Sequence, residues 1–184
     1  MGRYSKLGKP DREINPFQFQ KLLDHCALKL EYKAYIALTY WVGCRRTEPL
    51  ALKKEDITVL ENDLLIRNLP ALKHGHRAEV LNLSLELSGI PLIAELVAMT
   101  KKGRKLFPFS GTTAYRVVVS AMGVYPHWLR YNRVTGIRRA IDGKNLSLDD
   151  AKSFTGIRSD RTMQGYGMTS NEGAARVSKI LKNE

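Results

Sequence analysis

The stretch that decides the fold is AYIALTYWVGCRRTEPLAL, residues 34–52. Its first part is almost wholly apolar, which predicts that a helix over residues 32–42 lies in the core. Two arginines and a glutamate follow at once, although charged side chains are costly beside a core. Arg45 and Glu48 are three residues apart, so they form either a structural ion pair at the helix junction or a guanidinium held ready for an anion.

The composition predicts one globular domain, residues 1–184. Of the 184 residues, 43% are hydrophobic and 26% are charged, as in soluble globular proteins. No apolar run approaches the length of a membrane span and the N-terminus has no signal-peptide pattern. We therefore expect a protein without a membrane partner that is cytoplasmic or associated with a host chromosome or viral DNA. Cys26 and Cys44 lie in apolar, helical surroundings and are predicted to be reduced core thiols.

The net charge is the first indication of function. Thirty Lys and Arg against 18 Asp and Glu give a formal charge of +12. This balance favours a polyanion, nucleic acid first, because contacts to phosphate release counterions. The alternative is a basic protein without such a partner. Two dense clusters, KKGRK (101–105) and RYNRVTGIRR (130–139), favour nucleic acid.

The periodicity of apolar residues predicts a mainly helical α+β domain with one small three-stranded antiparallel sheet. Asn15 and Pro16 have the residue types of a helix cap and a first helical residue. Alternation around 57–59 and 64–66 predicts a hairpin, and a third strand is expected over about 77–83. Three further helices are predicted at 86–99, 112–122 and 127–141. Another helix is predicted to begin at the capping-box-like SLDD (147–150), and a last one after Asn171.

A second basic pair, in HWLR, suggests a phosphate site. His127 and Arg130 are three residues apart on one face of a predicted helix, although such pairs are often only solvated surface. With Arg45, and with Lys73 in the predicted hairpin turn, they would suit a pentavalent phosphate. Tyr166, in the polar, glycine-flanked segment RTMQGYGM, is the candidate nucleophile.

The order of these boxes resembles the catalytic domain of tyrosine recombinases, the phage-integrase family, in particular divergent integrases of archaeal or mobile-element type. The resemblance runs from roughly residue 14 to residue 184. Gly43, Arg45, Glu48 and Leu52 match the family's Gly-x-Arg-x-x-Glu-x-x-x-Leu box. Lys73 matches its hairpin lysine, and His127 and Arg130 match its His-x-x-Arg box. Tyr166 matches its nucleophile. Ile157, nine residues before Tyr166, stands where the family usually has His or Trp.

The resemblance implies site-specific cleavage and rejoining of DNA. Tyr166 would attack the scissile phosphorus and become linked to a DNA 3′-phosphate, while Arg45 and Arg130 stabilise the charge on the phosphorane. Lys73 would protonate the leaving 5′-oxygen, and His127 would accept the tyrosine proton or steady the phosphate. Glu48 would orient the first arginine.

The implied partners are double-stranded DNA and further copies of the chain in a synaptic tetramer. No cofactor and no metal is implied, and His74 and His76 in the hairpin turn are not expected to bind one. Residues 171–182 are expected to form an amphipathic helix that docks either on an adjacent subunit or on its own domain. The family's N-terminal core-binding domain is expected to be absent.

Two alternatives stay open. A type IB topoisomerase-like enzyme would use the same arginine, lysine and tyrosine chemistry. A catalytically silent DNA-binding module on the same scaffold is the other alternative, and Ile157 favours it because isoleucine offers no hydrogen bond to a phosphate.

Overall fold

The structure, a computed structural model, describes residues 13–71, 77–143 and 145–165. Over these ranges the chain forms seven α-helices and one sheet of three strands. In chain order they are α1 (Pro16–His25), α2 (Leu30–Val42), β1 (Ile57–Val59), β2 (Asp63–Arg67), β3 (Val80–Ser84), α3 (Ile90–Met99), α4 (Gly111–Met122), α5 (Pro126–Asp142), α6 (Leu148–Thr155) and α7 (Asp160–Gly165). The predicted mainly helical α+β class is confirmed. The predicted helix after Asn171 lies outside the described residues.

The central element is α2, as the apolar run in the sequence predicts. Every residue from Ala34 to Val42 is buried. The helix packs against α3, α4 and α5, and the ring of Tyr40 stacks on that of Phe19 in α1 with centroids 3.9 Å apart. Close packing on all sides holds α2 in one position, so the backbone of the residues that directly follow it is also held in place.

The sheet is an antiparallel meander in the order β1-β2-β3. Ile66 lies opposite Ile57 on one side and Leu81 on the other, and all three side chains are buried. The predicted alternation is therefore confirmed. The third strand begins at Val80 and not near residue 77, because the backbone N–H of Ala78 donates to Ser153 at 2.9 Å and not to the neighbouring strand.

Local capping signals fix several helix ends. The Asn15 side chain accepts from the backbone of Gln18 at 2.8 Å, and Ser147 accepts from the backbone of Asp150 at 3.0 Å, as predicted. The third helix was predicted from residue 86 but begins at Ile90. Gly89 has φ +78, and a Cβ there would lie 2.6 Å from Leu23, so the turn before α3 is set by tight packing on α1.

A second, smaller apolar cluster joins α5, α6 and α7. It consists of Val134, Ile137, Ala151, Ile157 and Met163. Because α6 and α7 are short, this cluster and not helix propensity holds them against α5. None of the helices in the described ranges is long and apolar enough to cross a membrane.

Both cysteines are unpaired thiols, one inside the core and one packed against it. Cys44 is fully buried directly after α2. Cys26 lies at the C-terminal cap of α1, where it is partly buried and packs against the core, so the predicted core thiol is found at the edge of the core.

Candidate active site

The site begins where α2 ends. Gly43 has φ +65, a left-handed conformation that suits glycine, and its N–H closes the helix by donating to Thr39 at 3.1 Å. The Tyr35 hydroxyl donates to the carbonyl oxygen of Arg46 at 2.7 Å, and burial raises the pKa of this phenol well above its ordinary value. These contacts fix the backbone on both sides of Arg45.

Arg45 and Glu48 form the ion pair that their spacing predicts. The Arg45 Nη1 lies 3.0 Å from Glu48 Oε1, and the Arg45 backbone N–H donates to Oε2 at 2.7 Å. The Glu48 side chain is fully buried, whereas 29% of the Arg45 side chain is exposed. The two interpretations left open by the sequence are therefore compatible, since the ion pair holds a guanidinium that still reaches solvent.

Arg130 approaches the same segment from α5. Its side chain is buried, with 2% of the residue exposed. Nη1 donates to the carbonyl oxygen of Gly43 and, at 3.3 Å, to that of Thr155. His127, one turn earlier on the same helix, is exposed. Tertiary packing thus gives the two members of the predicted pair different surroundings.

Arg77 is the residue that the sequence interpretation missed. Its side chain is 2% exposed and lies just before β3. Nη2 is 3.2 Å from Glu48 Oε2 and donates to the Thr155 carbonyl at 3.0 Å. These partners are 29 and 78 residues away in the sequence, so no local spacing signals the contact.

We call the resulting set the arginine network: Arg45, Glu48, Arg77, Arg130 and Thr155. Two of its guanidinium groups, those of Arg45 and Arg77, bind the Glu48 carboxylate, and that of Arg130 binds the Thr155 carbonyl oxygen that Arg77 also contacts. Three cations against one carboxylate leave an excess of positive charge. The Thr155 carbonyl ends α6, and a helix C-terminus favours cations. Of the three arginines, Arg45 is the one whose side chain is partly exposed, and a guanidinium held in a fixed orientation matches the geometry of a phosphate group.

Burial also determines the protonation state of the Cys44 thiol, which lies beside the network. Cys44 is fully buried, and desolvation raises its pKa to about 12; the nearby Arg77 and Arg130 act in the opposite direction and Glu48 in the same one. The thiol is therefore neutral at physiological pH and is not a competing nucleophile.

Ile157 is a core residue. It is 3% exposed and belongs to the second apolar cluster. Its position therefore supplies packing and no polar atom. Lys73 and Tyr166 lie outside the described residues, as do His74 and His76, so their predicted roles are not tested.

The two basic clusters differ in what their charges contact. In RYNRVTGIRR, Arg133 lies over the ring of Trp41 at 5.5 Å, Arg138 pairs with Asp142 at 2.8 Å, and Arg139 pairs with Glu13 at 2.7 Å. With Arg130 buried, this cluster is largely engaged within the fold. The residues of KKGRK (101–105) are all exposed. Among the described residues, no group of His, Cys, Asp and Glu is arranged to hold a metal ion.

Two solved structures have a similar fold. The crystal structure of XerA recombinase matches with a TM-score of 0.63 and 16% sequence identity, over 95% of this chain and 66% of that one. XerH site-specific recombinase, bound to a palindromic difH substrate in a post-cleavage complex, matches with a TM-score of 0.65 and 16% identity, over 98% of this chain and 56% of that one.

The similarity establishes the fold, and the expected tyrosine-recombinase catalytic-domain fold is confirmed. The chain spans 66% and 56% of the length of these two proteins. No protein-family model matches the sequence, and neither does any curated protein.

Proposed function

We propose that the chain is the catalytic domain of a site-specific DNA recombinase that cleaves and rejoins DNA through a 3′-phosphotyrosyl intermediate. The observation that carries the proposal is the convergence of Arg45 and Arg130 on one short backbone segment within this fold. Arg45 is held by Glu48 at 3.0 Å and is partly exposed, and Arg130 is anchored on the carbonyl oxygen of Gly43, two residues before Arg45. The net charge of +12 suits a DNA partner.

In the proposed reaction the phenolic oxygen of Tyr166 attacks the scissile phosphorus and the bond to the 5′-oxygen breaks. His127 accepts the phenolic proton or steadies the phosphate, and Lys73 gives a proton to the departing oxygen. Arg45 and Arg130 stabilise the negative charge that develops on the non-bridging oxygens. Rejoining reverses these steps with a 5′-hydroxyl from another strand. The phosphotyrosyl bond conserves the energy of the broken bond.

The contacts of Arg45 support preorganisation. A guanidinium that must stop moving in the transition state costs rotamer entropy unless it is already fixed. Glu48 fixes one edge of Arg45 from a fully buried position, so a phosphate would meet a cation whose orientation is set before binding. Arg130 is fixed still more firmly, since it is 2% exposed.

The test is capture of the covalent intermediate on DNA. The protein is incubated with a pool of nicked duplexes whose arms are randomised, and adducts that survive denaturation are isolated and sequenced. The nick lets the short 5′-hydroxyl strand diffuse away, so the adduct accumulates. We expect a 3′-linked adduct in the wild type, enriched for one sequence, and none in Tyr166→Phe, which lacks only the phenolic oxygen.

Adduct capture, combined with plasmid-relaxation, strand-exchange and duplex-binding assays, separates the alternatives. A type IB topoisomerase-like enzyme would relax supercoiled plasmid without sequence enrichment and would not exchange strands between two enriched sites. A silent DNA-binding module would retain duplexes without any adduct. An adduct that persists in Tyr166→Phe would overturn the assignment of the nucleophile.

A further inference from the structure

Arg77 is buried and donates hydrogen bonds to four different residues. Besides Glu48 and Thr155, its guanidinium donates to the carbonyl oxygen of Pro70 at 3.1 Å through Nη1 and to that of Phe154 at 3.2 Å through Nε. All of its nitrogens are therefore used, and the side chain is 2% exposed. This set of bonds joins the segment after β2, the segment after α2 and the end of α6.

Arg77 lies against a glycine at which two segments of the chain pack closely. Gly156 has φ +67 and follows the end of α6. A Cβ at this glycine would lie 3.4 Å from both Nε and Nη2 of Arg77 and 2.9 Å from the Cβ of Ala71. A Cβ there would therefore touch the guanidinium at an ordinary contact distance but would force Ala71 to shift, so the glycine allows the segment after β2 to pack closely on the end of α6 beside Arg77.

Two of the Arg77 contacts lead to the arginines of the proposed reaction. Oε2 of Glu48 accepts from Arg77 at 3.2 Å and from the Arg45 backbone at 2.7 Å, while Oε1 pairs with the Arg45 side chain. The Thr155 carbonyl accepts from Arg77 at 3.0 Å and from Arg130 at 3.3 Å. Arg77 is therefore one contact away from each of them.

Because Glu48 is buried, its contact with Arg77 affects how the carboxylate is held. A fully buried carboxylate is stabilised only if cations and hydrogen bonds compensate for lost hydration. Arg45 is partly exposed and must remain able to meet a phosphate, whereas Arg77 is buried with the carboxylate. Without Arg77, Glu48 would lose a buried cationic partner and would be drawn toward Arg45 and solvent.

We propose that Arg77 is a positioning residue for DNA cleavage: through Glu48 it sets the orientation of Arg45, and through Thr155 it supports Arg130. This inference rests on the proposed function. A displacement of about 1 Å in a group that binds the reacting phosphate is enough to slow a reaction by about 10²-fold. The alternative is a purely structural role, in which Arg77 joins three segments without affecting the orientation of Arg45.

The kinetic test uses Arg77→Lys, which keeps the charge but has a single nitrogen in place of the planar fork. Single-turnover cleavage of the captured duplex is measured at saturating DNA and well below the melting temperature. We expect cleavage to slow by about tenfold or more, with little change in the dissociation constant. Arg138→Lys is the matched control, because Arg138 is also ion-paired, with Asp142 at 2.8 Å, but lies outside the network. It should cleave like the wild type.

A double-mutant cycle separates positioning from a structural role. If Arg77 acts through Arg45, then adding Arg77→Lys to an Arg45→Ala background should cost clearly less in cleavage rate than the same substitution costs in the wild type, and the loss that remains reports the support of Arg130. Fully additive losses would overturn the proposal. So would an Arg77→Lys protein that melts earlier and yet cleaves at the wild-type rate when saturated with DNA.

A spectroscopic readout works without any cleavage activity. The Nε–Hε resonance of Arg45 is assigned by its disappearance in Arg45→Lys and is then followed in Arg77→Lys and Arg138→Lys. We expect it to shift and broaden only in Arg77→Lys. An unchanged resonance would overturn the proposal. If the wild type forms no adduct on any duplex, the proposed function fails, and this measurement still decides whether Arg77 positions Arg45.

Discussion

Arg130 donates a hydrogen bond from Nη1 to the carbonyl oxygen of Gly43, the residue at which α2 ends. The two residues are 87 positions apart in the sequence. The bond attaches α5 to the end of the most deeply buried helix, two residues before Arg45. The shape of the backbone at Gly43 therefore determines where both arginines lie.

Replacing Gly43 by alanine is expected to destabilise the protein more than the same change at Gly123. Both glycines have nearly equal positive φ, +65 and +66, so the left-handed strain of about 1 kcal/mol is common to both. A Cβ at Gly43 would lie 3.2 Å from the Cβ of Arg133, whereas nothing lies within 4 Å at Gly123. Urea denaturation measures both losses, and equal losses would contradict the crowding at Gly43.

Removing either of the two arginines of the proposed reaction should slow cleavage strongly but affect stability differently. We expect Arg45→Ala and Arg130→Ala each to lose about 10²–10³-fold in single-turnover cleavage, the scale of one transition-state donor. Arg130→Ala should also lose about 1–3 kcal/mol of stability, because buried carbonyl oxygens lose their donor. Arg45→Ala should lose less, since 29% of that side chain is exposed. Unchanged cleavage in either variant would mean that the boxes are misassigned.

Lys73→Ala is expected to cleave normal DNA poorly and a modified DNA well. If Lys73 protonates the leaving 5′-oxygen, a substrate with sulfur in place of that oxygen should restore the rate, because a thiolate leaves without a proton. Cleavage rates on the two substrates are compared in the variant and in the wild type. Equal loss on both substrates would make Lys73 a phosphate contact or a residue needed for the fold.

Alkaline pH is expected to destabilise the protein partly through Cys44. Its folded pKa is raised to about 12 by burial, above the value of about 8.5 for a thiol in an unfolded chain. The folded state therefore keeps a proton that the unfolded state loses, and stability should fall as the pH rises through this window. Denaturation at several pH values should give a shallower decline in Cys44→Ala.

The same burial predicts unequal alkylation of the two thiols. At pH 8, iodoacetamide should modify the partly exposed Cys26 in the folded protein and reach Cys44 only on unfolding. Mass spectrometry of peptides before and after denaturation measures both. Equal reaction of the two thiols in the folded protein would contradict the burial of Cys44.

Deleting residues 171–184 is expected to leave binding to a single DNA site nearly intact and to impair recombination between two sites. The sequence of this segment places Ala174, Val177 and Leu181 along one stripe, which suits docking on an adjacent subunit. Gel-shift and strand-exchange assays separate binding from assembly. A truncated protein that recombines at the full rate, or that unfolds, would exclude an assembly role.

Much of the fold follows from signals that lie within a few residues of one another. The apolar run before Gly43 predicts a buried helix, because a helix that is apolar on all sides is stable only when every face of it is covered by the core. The caps at Asn15 and Ser147 are bonds between residues three apart. Arg45 and Glu48 are likewise neighbours on one turn, so their ion pair could be predicted from the sequence.

What only the tertiary structure decided are the contacts between distant segments. Arg77 carries no local mark of its role, because its partners Glu48 and Thr155 reach it only after the sheet and α6 pack on the end of α2. The third strand starts late for the same reason, since the backbone before it bonds to α6. The sequence by itself determined which residues carry charge beside the core. Packing decided which of those charges are buried together, because compensation of a buried carboxylate depends on distances in space and not on spacing along the chain.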